Sequence, residues 1–127
     1  MDPQQRLLLE VAFDALLHAG IDTAELAGKR VGVYLGLAKN SYGERPGDPT
    51  PFAATGGQVS SAAGRIAYHF GFRGPAMTID TACSSGLAAV HLALRALRAG
   101  ECDLALVGGS NLILNPDGHA VFHKLGL

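Results

Sequence analysis

The chain has 127 residues, enough for one domain with one core, and 48% of them are apolar against 17% charged. A formal net charge of −1 without a Lys/Arg cluster offers no electrostatic footprint for nucleic acid or an anionic membrane surface. The opening MDPQQRLLLE lacks the charged-then-apolar-then-small order of a secretory signal, and no apolar run reaches the ~18 residues of a membrane span; the expectation is a cytoplasmic protein.

Asp2 and Pro3 begin a helix, as N-cap and first helical residue. The helix runs through QQRLLLEVAFDALLHAG, with Glu10, Asp14 and His18 as its polar stripe and Gly20 just past its end. DTAEL (22–26) reads as a further short turn. RVGVYLGL (30–37) reads as a strand and AKNSYGERPGDPTP (38–51) as a loop rich in turn formers. VSSAAGRIAYHFG (59–71) is helical, with Ser60 or Ser61 as its cap. AMTID (76–80) is a short strand, residues 84–99 a helix stopped by Gly100, and DLALVGG (103–109) a third strand. NPDG (115–118) marks a turn, and the last nine residues give no clear pattern. The ending VFHKLGL has no helix stop, as expected of a partial domain. Alternating helices and strands predict an α/β fold, a parallel or mixed sheet covered by helices with right-handed crossovers.

Cys83 and Cys102 are 19 residues apart with no CxxC, which speaks against both a disulfide framework and a zinc site. Cys83 sits where the AMTID strand passes into a helix that is apolar on nearly every side, a pattern that predicts a mostly buried helix. Carboxyl ends of strands in open parallel sheets are where ligands bind. A helix start supplies free N–H groups and the positive end of the dipole, both of which stabilise a thiolate. Position and composition alone leave two readings of Cys83 open, a nucleophile or a small buried hydrophobe. Cys102, leading a buried strand, reads as packing. Ser84 is a rival nucleophile, because ACSSG (82–86) resembles the G-x-S-x-G elbow with Ala82 in place of the first Gly.

The five histidines offer no evident base. His91 lies eight residues along the helix, about 12 Å from Cys83 at about 1.5 Å per residue. His91, Arg95 and Arg98 form that helix's polar stripe. His119 and His123, four apart, lack the Glu of H-E-x-x-H and a third ligand, so no metal is expected. Arg65 and Arg73 read as solvated surface residues.

DTACSSG (80–86) resembles the active-site segment of β-ketoacyl synthases, above all the ketosynthase domains of modular type I polyketide synthases. MDPQQRLLLEVAFDAL (1–16) is similar to the family's early helix, and residues 63–116 to its central stretch; the loop at 38–51 matches least. Gly86 stands where these enzymes usually carry a third Ser. The resemblance implies a thiolase-like fold, of which residues 1–127 would be the first, N-terminal half, a mixed sheet covered by helices. It also implies decarboxylative Claisen condensation of acyl and malonyl-type thioesters, with Cys83 as the acyl-accepting nucleophile. The Cys83 backbone N–H would form half of an oxyanion hole. No cofactor is implied; substrates would ride on the phosphopantetheine of an acyl carrier protein. A homodimer would pair through the Ala76–Asp80 strand. The family's H-G-T-G-T and K-S-N-x-G-H motifs, which hold two His and a Lys, do not occur in this sequence. Two alternatives therefore stand beside condensation by the full domain: a non-elongating, transacylating ketosynthase, and a non-catalytic half-domain.

Overall fold

The computed structural model describes residues 1–38, 42 and 55–126. In chain order the elements are α1 (Pro3–His18), α2 (Thr23–Leu26), β1 (Val31–Gly36), α3 (Ser61–Phe70), β2 (Ala76–Ile79), α4 (Ser85–Ala99), β3 (Leu104–Gly109) and α5 (Asp117–Lys124). Each expected helix and strand is present, with ends shifted by one or two residues. The expected loop at 38–51 lies outside the described residues except for 38 and 42. The indistinct C-terminal stretch contains α5, all of whose residues are exposed.

The strands form a sheet of order β2-β1-β3, parallel throughout. The α/β class therefore holds, but these three strands show none of the antiparallel pairing that a mixed sheet implies. Central β1 is buried along its whole length, which is why it reads as a continuous apolar run. Its side chains alternate between two layers. Val31, Val33 and Leu35 face α1 and α3, and pack with Leu8, Leu16, Ala63, Ile66 and Phe70. Tyr34 faces α4 and packs with Ala89, Ala93, Ala96 and Cys102. Cys102 is a buried packing thiol, as expected.

Asp2 caps α1, its carboxylate accepting from Gln4 N–H at 2.8 Å. The two glutamines that follow are buried, which their polarity does not suggest. Gln5 Nε2 donates to the carbonyls of Gly56 and Gln58, at 3.4 and 3.0 Å. Gln5 Oε1 accepts from Arg65 Nε at 2.7 Å, and Arg65 Nη2 donates to Thr55 O at 3.2 Å. Arg65 is therefore a half-buried strut between α1 and α3 and not simply a solvated residue. Neither serine caps α3 as expected: Ser60 makes no side-chain cap bond, and Ser61 Oγ donates to the carbonyls of Thr55 and Gln58.

The buried side of α4 is a stripe of small residues: Ser85, Ala89, Ala93 and Ala96. Leu87, Val90, Leu94 and Leu97 on its other side are exposed, Leu87 by 79%. The expectation of a mostly buried helix fails for these residues. Periodicity cannot show which apolar face a chain covers with its own residues and which it leaves open. At the opposite end of the sheet, Arg30 binds Asp103 through two hydrogen bonds, at 3.1 and 2.6 Å, and donates to Gly100 O at 2.8 Å. It thereby joins the starts of β1 and β3 to the end of α4.

Candidate active site

β2 ends at Ile79 and α4 begins at Ser85, so five residues, Asp80 to Ser84, make the turn. Cys83 lies in that turn, one residue before the N-cap Ser84, and is exposed. This is the junction between strand and helix where the sequence places it. The thiol still stands at the carboxyl edge of the sheet, ahead of the helix's positive end.

The turn is sharp because of Ala82, the one non-glycine with positive φ among the described residues, at 54°. An L-residue in that region costs about 1–2 kcal/mol. Local hydrogen bonds offset this. Asp80 Oδ1 accepts from Ala82 N–H at 2.9 Å. Ser84 Oγ donates to Thr81 O at 2.7 Å and lies 2.9 Å from Thr81 Oγ1. Ser85 Oγ accepts from Thr81 N–H at 2.9 Å and donates to Ala82 O at 2.6 Å. The backbone N–H groups of Ser84 and Ser85 donate back to Thr81 O and Ala82 O. These bonds use the N–H groups on both sides of Cys83 and leave its own N–H out.

The same geometry separates the two candidate nucleophiles. Both residues are exposed, but the Ser84 hydroxyl is tied to Thr81, whereas Cys83 is a free thiol. Beneath the turn, Gly36 ends β1. A Cβ on Gly36 would lie 2.6 Å from Gly86 N and from Ser85 C, so only glycine lets the strand meet the helix start. Gly86 faces open space, with nothing within 4 Å of a built Cβ. A pocket of about 300 Å³ bounded by Leu37, Val59, Ser60, Thr78 and Asp80 opens at the ends of β1 and β2.

His91, Arg95 and Arg98 line a separate groove of about 730 Å³ beside Tyr34 and Met77, away from the thiol. His119 and His123 are exposed on α5, and no group of three or more metal-ligating side chains occurs among the described residues. Sequence reasoning missed Asp80, Ser85 and the strained Ala82. The signal available was the serine pair itself, which reads as generic capping chemistry.

The whole chain, residues 1–127, matches the family described as Beta-ketoacyl synthase, N-terminal domain. It is 51% identical over 130 residues to the spectinabilin polyketide synthase system protein NorA' of Streptomyces orinoci, covering 99% of this chain and 4% of that protein. It is 48% identical to the reducing polyketide synthase ppsB of Aspergillus oryzae, covering 100% of this chain and 5% of that protein. Among solved structures it is similar to the ketosynthase from module 6 of the bacillaene synthase of Bacillus subtilis, with TM-score 0.89 and 41% identity over 100% of this chain and 21% of that one. An oxazolomycin ketosynthase domain of Streptomyces albus gives TM-score 0.86 and 36% identity over 99% of this chain and 23% of that one. The chain thus spans about a twentieth of the synthases and about a fifth of the ketosynthase chains it matches. On sequence and fold together, the chain belongs to the β-ketoacyl synthase family, as a ketosynthase segment of the polyketide synthase type.

Proposed function

We propose that residues 1–127 are a partial ketosynthase domain, and that Cys83 carries the growing acyl chain during decarboxylative Claisen condensation. The observation that carries this reading is the exposed Cys83 held on a strained turn between β2 and α4 whose hydrogen bonds leave the Cys83 N–H out. The Cys83 thiolate attacks an acyl thioester, the C–S bond to the carrier breaks, and the carrier thiol leaves. A malonyl-type thioester then loses CO₂. The resulting carbanion attacks the acyl-Cys83 carbonyl, forming a C–C bond and returning the thiolate. The Cys83 N–H, left out of the elbow's bonds, is one donor to the oxyanion. The histidines and lysine of the second step come from residues outside 1–127, since His91 is about two turns up α4 and the other four are on other elements.

The partners of this reading are an acyl carrier protein, whose phosphopantetheine delivers both thioesters, and a second copy of the protein. β2 is an edge strand among the described residues, so the Ala76–Asp80 segment has an edge free to pair with its twin. The setting is the cytoplasm, and no helix among the described residues is long and apolar enough to cross a membrane. Transacylation without elongation is a second reading, in which Cys83 takes and passes on an acyl group with no new C–C bond.

The test is incubation of the full-length protein with an acyl thioester, followed by peptide mapping. The acyl mass is expected on the peptide holding Cys83 and not on that holding Cys102, and Cys83→Ala removes it. No acylation of Cys83 would sink the proposal. Product from a malonyl thioester separates condensation from transacylation.

A further inference from the structure

We propose that Ser85 is a positioning residue for the acylation of Cys83: its buried hydroxyl fixes the peptide unit that carries the Cys83 N–H. This rests on the reading of Cys83 as the acyl acceptor. Ala82 C=O and Cys83 N–H belong to one planar, trans peptide, so they point in opposite directions and turn together. Ala82 O is held from below by two donors of one residue, Ser85 Oγ at 2.6 Å and Ser85 N at 3.1 Å. The Cys83 N–H is thereby turned away from the helix.

Ser85 is 5% exposed, and its hydroxyl proton has a defined place: the oxygen accepts from Thr81 N–H at 2.9 Å while the hydrogen goes to Ala82 O. One side chain therefore grips the backbone on both sides of the peptide linking Thr81 to Ala82. Ala82 at φ 54° would otherwise relax toward negative φ, and that rotation would swing the Cys83 peptide with it. Asp80 braces Ala82 N–H only and does not touch the carbonyl. Control of the direction of the Cys83 N–H therefore falls to Ser85.

A donor of this kind matters when a tetrahedral oxyanion forms and not when a thiolate displaces iodide. In the full-length protein, Ser85→Thr and Ser85→Val have the same shape and differ in the hydroxyl. Acylation of Cys83 at saturating acyl thioester is expected to be at least about tenfold faster in the Thr variant than in the Val variant. Alkylation of Cys83 by iodoacetamide should differ by less than about twofold, because it needs no oxyanion donor. Equal acylation rates, or alkylation falling in parallel with acylation, would overturn the positioning role. If thermal melts show either β-branched variant unfolded, Ser85→Ala against wild type carries the same pair of measurements without added volume. A wild-type protein that is alkylated but never acylated would instead remove the reading of Cys83 as acyl acceptor.

Discussion

The two faces of the sheet are finished to different degrees. On the α3 face, β1 presents Val31, Val33 and Leu35 to two helices, and large side chains such as Leu16, Ile66 and Phe70 are sealed between the layers. On the α4 face, β1 presents Tyr34 between glycines, and what lies against it is mainly alanine and Cys102. The leucines of α4 point the other way, into solvent. The first face stabilises itself. The second uses small residues to bring a helix close to a strand, which places the helix start, and with it the thiol, without adding much buried apolar area.

The largest expected effect tests that contrast directly. Ile66 is 1% exposed on the complete face and Leu87 is 79% exposed on the open one. Ile66→Ala should destabilise by about 2–5 kcal/mol, through lost burial and a cavity. Leu87→Ala should change stability by less than about 0.5 kcal/mol, as a surface substitution. Urea midpoints of the two variants are the measurement, and comparable losses would refute the distinction. A pair of glycines sharpens it next. Gly36→Ala forces its Cβ into the backbone at the start of α4 and is expected to lose about 1–3 kcal/mol. Gly86→Ala enters open space in the first turn of α4 and should gain about 0.5–1 kcal/mol.

Tyr34 gives the smallest effect and the one that depends on pH. Its hydroxyl is buried and finds no oxygen or nitrogen partner among the described residues, with the thiol of Cys102, a weak acceptor, beside it. Burial pushes the phenol's pKa above its ordinary value of 10.0, and Cys102 and Glu101 push it further. The native state therefore holds this proton where the unfolded chain releases it. Its stabilising share is complete below pH 10.0 and is lost as pH rises through the native pKa. Tyr34→Phe should match or exceed wild type by up to about 1 kcal/mol at neutral pH, having no hydroxyl to leave unpaired. It should also show a shallower alkaline decline in melting temperature, and an unchanged decline would assign that loss to other groups.

Much of the fold was readable because its signals are local. Asp2-Pro3 announces α1, and the apolar runs of β1 and β3 announce parallel strands, although only β1 is buried and β3 is half-buried to exposed. The strand-to-helix change around Cys83 announces the candidate site. The parts that were not readable depend on distant partners. Arg65 meets Gln5 across 60 residues of sequence, so nothing near Arg65 distinguishes a strut from a solvated charge. Leu87 and Ala89 are both helix formers on an apolar helix, and only the placement of β1 decides which is covered. At the elbow, the motif names the thiol but not the atoms that hold it. Ala82 has an everyday side chain in a glycine-like conformation, and Ser85 looks like any serine at a helix start.

The elbow's side-chain bonds join residues no more than four positions apart. Loops that short are closed with little loss of chain entropy and within the earliest steps of folding. On a ribosome, the turn and the first coil of α4 can take shape as soon as they emerge. The turn can then hold the Cys83 backbone in place before β3 and α5 are made, and those later segments assemble around a fixed point.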